Sequence, residues 1–174
     1  MVDLRNTIRA IPDFPKEGIL FYDITTLLVN PEAFRAALDK MEKFCRDRDV
    51  DRIVGIESRG FIFGGALADR LKVGFVPVRK AGKLPGETIA ATYDLEYGSA
   101  TIEIHADAVS AGDSVVVVDD LIATGGTLEA TCRLIERVGA KVTGIAALID
   151  LAFLPWEEKL EKYDVLSLIT YESG

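Results

Sequence analysis

The chain has 174 residues and sets 28 Asp+Glu against 20 Lys+Arg, for a formal charge of −8. At 49% hydrophobic and 28% charged residues, it is long and apolar enough to bury about 70% of its unfolded surface around one core, so disorder throughout is excluded. The acidic balance (pI ≈ 4.7) leaves no broad basic face for non-specific nucleic-acid binding. No run of about 18 apolar residues offers a membrane span, and the opening MVDLRNTIRAIPDF lacks the basic-then-apolar pattern of a secretory signal. The expectation is one cytoplasmic domain over 1–174, with neither nucleic acid nor membrane as partner. Cys45 and Cys132 lie far apart without CxxC or His neighbours, so they read as buried small hydrophobes rather than as a disulfide or zinc ligands.

In chain order, the first clear helix starts at Asn30, a capping residue followed by Pro31 at the first helical position. Phe34, Ala37, Leu38, Met41, Phe44 and Cys45 then recur at helical spacing. A strand at Arg52–Ile56, the turn Glu57-Ser58-Arg59-Gly60, a small-residue helix over Phe61–Leu71 and a strand at Gly74–Arg79 form a parallel strand–helix–strand unit. Lys80–Glu87 reads as a loop, punctuated by two glycines and a proline. Thr101–His105 alternates as a half-exposed strand, with His105 at its end in a surface or packing role. Ser114–Val118 is wholly apolar after its serine and β-branched, as a strand buried on both faces should be. A helix over Gly126–Val138, a strand at Lys141–Ile149, a short helix near Trp156–Lys162 and a last strand at Val165–Thr170 complete an α/β pattern with a mostly parallel sheet flanked by helices.

The chemistry is concentrated in Val115–Thr127, VVVVDDLIATGGT. A buried parallel strand runs into Asp119 and Asp120, then into a small-residue turn and a helix. In open α/β sheets ligands sit beyond the carboxyl ends of strands. Main-chain N–H groups of Ala123, Thr124, Gly125, Gly126 and Thr127 at a helix start suit phosphate oxygens, with the two threonine hydroxyls as further donors. Two carboxylates beside a phosphate cradle would repel a bare anion. Sugar hydroxyls between them resolve the conflict, because carboxylates accept hydrogen bonds from a vicinal diol. The segment therefore points to a ribose 5-phosphate. It is neither a Walker A loop, which needs its lysine, nor G-x-G-x-x-G. Arg79–Lys83 adds three cations without an acid, a clamp for a further anion that Arg59 joins with its forked guanidinium.

This thirteen-residue string resembles the phosphoribosyl pyrophosphate signature of type I phosphoribosyltransferases. Phe14-Pro15, Phe21–Thr25, Glu57–Phe61, Arg79-Lys80 with Gly82–Gly86, and Tyr93–Gly98 narrow the resemblance to the adenine-specific family. It covers nearly the whole chain and implies the type I phosphoribosyltransferase fold, with a small hood from the N-terminal segment (1–29) and the tail, and a mobile active-site loop over 80–100. It also implies purine salvage: transfer of the phosphoribosyl group to N9 of adenine, giving AMP and pyrophosphate, in a homodimer. Mg²⁺ would be carried mainly by the pyrophosphate, with no protein metal site.

On this resemblance, Asp119 and Asp120 hold the ribose diol, and Ala123–Thr127 hold the 5-phosphate. Arg59, Arg79, Lys80 and Lys83 contact pyrophosphate, with Arg79 serving its own or a neighbouring site; Ser58, where a strand end meets a helix start, offers a further anion contact. Glu96 is the proton donor or acceptor to the purine, and Tyr97 helps to close the site. Adenine lies between Phe21, which reads equally as core, and Leu151, and main-chain groups near Leu20 and Tyr22 read its edge. Tyr22 stands where many relatives carry arginine. The competing readings are a transferase for xanthine, guanine or orotate, and a purine-sensing regulator of the same fold without catalysis.

Overall fold

The computed structural model describes residues 2–95 and 98–173. After a 3-10 turn at Arg5–Thr7, β1 (Arg9–Pro12) and β2 (Leu20–Asp23) pair as an antiparallel hairpin separate from the main sheet. The one-turn α1 (Thr25–Leu28) leads to α2 (Pro31–Arg46), where the Asn30 side chain accepts from the N–H groups of Glu32 and Ala33, as its capping position predicts. Then follow β3 (Arg52–Ile56), α3 (Gly60–Leu71), β4 (Gly74–Lys80), β5 (Thr88–Asp94), β6 (Ser99–His105), β7 (Ser114–Ile122), α4 (Gly126–Arg137), β8 (Lys141–Leu151), α5 (Glu157–Leu160) and β9 (Val165–Tyr171).

The seven-stranded sheet has the order β5-β6-β4-β3-β7-β8-β9. β3 pairs in parallel with β4 and β7, and β8 in parallel with β7 and β9; only the β4–β6 and β5–β6 pairings are antiparallel. The mostly parallel sheet is as expected. From β3 the chain builds outward through β4 on one side and later returns as β7 on the other. A crevice therefore opens beyond the carboxyl ends of β3 and β7.

The valine run of β7 shows how the layers form. Successive side chains of a strand face opposite sides. Val116 and Val118 join Leu38, Met41, Phe63 and Leu67 under α2 and α3. Val115 and Val117 join Leu128, Leu134 and Ile135 under α4. All four valines are fully buried, which by area alone stabilises the fold by about 1.5–3 kcal/mol each. Cys45 and Cys132 are buried in these two layers, and burial pushes both thiols up to about 12.

Two hairpins depart from the sequence reading. β1 and β2 are four residues each, and β1 is mostly exposed, so it offers no buried alternation to read. β5 lies inside the 80–100 segment expected as an active-site loop, and seven residue pairs hold it to β6. Its two alanines and a Gly-rich approach masked the strand signal. β7 also runs on through both aspartates to Ile122, because β8 pairs with it as far as Asp150.

The N-terminal segment and the tail pack together. Tyr22 stacks on Tyr171 with ring centroids 3.9 Å apart and planes at 22°. Arg5 lies 4.7 Å from the Tyr171 ring and donates to the Thr170 carbonyl.

Candidate active site

The carboxyl ends of β3, β4 and β7 open into a cleft of about 450 Å³. Its lining includes Glu57, Ser58, Arg59, Arg79, Lys80, Lys83, Tyr93, Asp119, Asp120 and Thr127. Five elements and turns distant in sequence thus bring eight of the expected site residues to one place. The arrangement depends on close approach of α3 to the end of β7. A Cβ on Gly60 would lie 2.9 Å from the Val118 carbonyl oxygen and 3.0 Å from Asp119 Oδ1, so only glycine lets the helix start this near the acids. The Glu57–Ser58 peptide bond in the turn before it is cis.

The two aspartates have different surroundings. Arg59 Nε donates to Asp120 Oδ2 at 2.5 Å, and the Asp120 side chain is only 9% exposed. Asp119 Oδ1 accepts from the Asp120 main-chain N–H at 2.8 Å. Burial and then the negative charge of Asp120 push the Asp119 carboxyl well above the usual carboxylate range. Both aspartates nevertheless line the same cleft, so a sugar placed across the strand end can meet both acids.

Glu57 is the functional residue that the sequence reading passed over. Its Oε1 accepts from the Lys80 main-chain N–H at 2.5 Å, and its Oε2 lies 3.3 Å from both Arg79 and Lys83. The basic stretch is therefore not acid-free in space: the acid comes from the neighbouring strand end. Burial raises the Glu57 carboxyl, but the hydrogen bonds from Lys80, Lys83 and Arg79 outweigh it and hold the group below its ordinary value. The β3–β4 parallel pairing was the signal that would have found it, because it brings Glu57 beside Arg79 and Lys80. Arg79 lines the cleft of its own chain, and its Nε is buried without a hydrogen-bond partner among the described residues.

Beside the cleft, Asp119, Ala123, Thr124, Gly125, Gly126 and Thr127 contribute to the lining of a smaller cavity of about 90 Å³ at the start of α4. Gly125 caps the helix with φ 75°, a left-handed backbone that bends the chain out of β7 and into α4. The first N–H groups of a helix have no partner within it and carry the positive end of its dipole. Tyr93 on β5 reaches this loop, its hydroxyl 2.9 Å from Thr127 Oγ1.

Leu20, Phe21, Tyr22 and Leu151 line neither cavity. Leu20 and Leu151 pack against the core. Phe21 meets the exposed Phe14 edge-on at 5.1 Å, and the Arg59 guanidinium lies 5.6 Å from its ring, which places it beside the cleft. The Tyr22 side chain turns away from the cleft, which leaves its main chain as the part expected to read the base edge. It is 6% exposed, stacked on Tyr171, and donates its hydroxyl to the Ser173 carbonyl, because the alternation of β2 turns it inward. Glu96 and Tyr97 lie outside the described residues. No group of three or more His, Cys, Asp and Glu side chains able to hold a metal occurs among the described residues.

The chain matches the model for the phosphoribosyl transferase domain over residues 23–170. It is 55% identical over 170 residues to an adenine phosphoribosyltransferase of Desulfitobacterium hafniense, covering 98% of each chain. The chain belongs to the adenine phosphoribosyltransferase family. The crystal structure of an adenine phosphoribosyltransferase from Thermoanaerobacter pseudethanolicus superimposes with a TM-score of 0.93 at 50% identity, covering 97% of this chain and 98% of that one. The Saccharomyces cerevisiae adenine phosphoribosyltransferase, solved with adenine and an imino-altritol bisphosphate, gives 0.89 at 45% identity, covering 95% and 96%. The type I phosphoribosyltransferase fold expected from the sequence is thus the observed one. No helix among the described residues is long and apolar enough to cross a membrane.

Proposed function

We propose that the protein salvages adenine, transferring the 5-phosphoribosyl group of phosphoribosyl pyrophosphate to N9 of adenine and releasing AMP and pyrophosphate. One observation carries the reading: a phosphate-sized cradle at the start of α4 adjoins a cation-lined cleft, with Asp119 and Thr127 common to both. The substrate is likewise a sugar diol with an anion at each end. Family membership supplies the base.

The main-chain groups of Ala123–Thr127 hold the 5-phosphate, and the hydroxyls of Thr124 and Thr127 add to them. Arg59, Arg79, Lys80 and Lys83, with Ser58 and the main chain of the 57–59 turn, hold the pyrophosphate. Adenine N9 attacks the anomeric carbon with inversion as the bond to pyrophosphate breaks, its electron pair leaving with the pyrophosphate oxygen. Cationic character develops on the ribose, and the carboxylates of Asp119 and Asp120 stabilise it. Contact with ribose hydroxyls and that cation favours the charged form of Asp119, drawing its raised pKa down as substrate fills the site.

Phe21 and Leu151 sandwich the purine, and the main chain near Leu20 and Tyr22 reads its edge. Glu96 exchanges the purine proton, and closure of the 80–100 segment, with Tyr97, keeps out water that would hydrolyse the activated sugar. The donor set fits Mg²⁺ carried by the substrate: of the three carboxylates lining the cleft, Glu57 is taken up by Lys80, Arg79 and Lys83, Asp119 and Asp120 could reach the ion, and the remaining ligands would come from pyrophosphate and ribose oxygens. When bound, the ion neutralises charge on the leaving group. The enzyme works in the cytoplasm as a homodimer, a setting that suits its two unpaired thiols. Residues 1–29 and the tail form a hood over the base.

The test is to mix the purified protein with Mg²⁺, phosphoribosyl pyrophosphate and adenine, guanine, xanthine or orotate in turn, and to resolve the nucleotide products. AMP from adenine alone supports the reading. Product from another base moves the specificity, and binding without product makes the chain a sensor.

A further inference from the structure

The basic clamp is built around an acid. Glu57 follows directly on β3, and its main-chain N–H donates to the Val78 carbonyl at 3.0 Å, so its position is fixed by the sheet. Its carboxylate, whose side chain is 10% exposed, splits its work between its oxygens. Oε1 accepts the short 2.5 Å bond from the Lys80 main chain, while Oε2 alone serves both Arg79 and Lys83 at 3.3 Å. Charge-assisted bonds settle near 2.7–2.9 Å, so the main-chain contact is firm and the two cationic contacts are loose. The loose pair is what an incoming phosphate oxygen competes for.

We propose that Glu57 is a positioning residue for the transfer, an internal counter-charge that keeps Arg79 and Lys83 assembled while the cleft is empty and that pyrophosphate displaces from them. Resting on the phosphoribosyl-transfer reading above, the inference assigns Glu57 a role in how tightly the leaving group is held. Without the carboxylate, two cations would repel each other across the cleft mouth. With it, they are gathered on one oxygen and released to a ligand that carries more charge. The cost is a repulsion between Glu57 and bound pyrophosphate, which weakens retention of the product. The Lys80 main-chain bond keeps the acid in place as the cations leave it.

This gives Glu57→Gln an effect opposite to that of a merely structural residue. The amide keeps an acceptor for Lys80 N–H and removes the charge. Calorimetric titration of pyrophosphate with Mg²⁺ should show its Kd fall roughly fivefold, the scale of one charge–charge contact screened as in bulk water. KM for phosphoribosyl pyrophosphate should fall with it, while kcat should not rise. Glu57→Asp keeps the charge, so its pyrophosphate Kd should be no lower than that of the wild type. An unchanged or raised Kd in Glu57→Gln, or an equal fall in both variants, overturns the counter-charge role. Wild-type AMP formation is measured in the same preparations. If it is absent, the transfer reading itself has failed; if it is present while the Kd pattern is not seen, only the role of Glu57 has.

Discussion

Gly60→Ala tests whether the approach of α3 to the end of β7 builds the site. The added Cβ would lie 2.9 Å from the Val118 carbonyl oxygen and 3.2 Å from Asp119 Cα, where ordinary contact begins at 3.4 Å. These are main-chain atoms of a central strand, so the helix start and the strand end must part by about 0.5 Å. Overpacking of this kind costs about 1–3 kcal/mol. For a chain of this length that lowers the thermal midpoint by about 2–12 °C. Asp119 moves with the strand end, and since a 1 Å misplacement costs about 10²-fold in rate, half of that should cost roughly tenfold in kcat/KM. Gly65→Ala on the same helix is the internal control: its Cβ meets nothing within 4 Å, so helix propensity should leave stability unchanged or raised by up to about 1 kcal/mol. The assays are calorimetric unfolding and initial rates of AMP formation. A Gly60→Ala protein with wild-type midpoint and wild-type kcat/KM would refute the reasoning.

Other expectations follow from single contacts. Asp119→Asn should lower kcat by at least about 10²-fold with unaltered fold, on the scale of other preorganised charge groups; steady-state kinetics with turnover near wild type would remove Asp119 from the mechanism. Tyr93→Phe deletes the 2.9 Å bond to Thr127, worth about 1 kcal/mol, so hydrogen exchange in the β5–β6 hairpin should quicken about fivefold while α2 is unaffected. Equal exchange in both proteins would show that the bond does not tether the hairpin. Asp23 is held at about 2, against an ordinary 3.8, chiefly by the Arg9 side chain and then by Thr25. A depressed carboxyl favours the folded state when ionised, so its contribution is complete above about pH 4 and is lost as pH falls towards 2. Thermal midpoints over that window should fall less steeply in Asp23→Asn than in the wild type, and parallel curves would contradict this.

Elements with strong local signals were legible from the sequence. Asn30-Pro31 and the helical recurrence of Ala37, Leu38, Met41 and Cys45 located α2, and the run Val115–Val118 located the central strand. The VVVVDDLIATGGT string named its own chemistry, because a strand, an acid pair and a Gly-rich helix start are contiguous. What the sequence hid was fixed by partners far along the chain. Tyr22 faces Tyr171 only because the tail returns to β2. β5 is a strand because β6 pairs with it, its own alanines contributing little. Glu57 and the Arg79–Lys83 stretch are separated by a whole helix and meet only through parallel pairing of β3 with β4. A local count of charges called that stretch purely basic, and the fold supplied the acid.

The central claim is that one nucleotide site spans the carboxyl end of β7, and a crystal structure of the protein with AMP tests it most directly. The account predicts the 5-phosphate on the Ala123–Thr127 main chain, the ribose diol on Asp119 and Asp120, and the adenine ring beside Phe21. A phosphate bound instead among Arg79, Lys80 and Lys83, or a nucleotide bound away from β7, would contradict it.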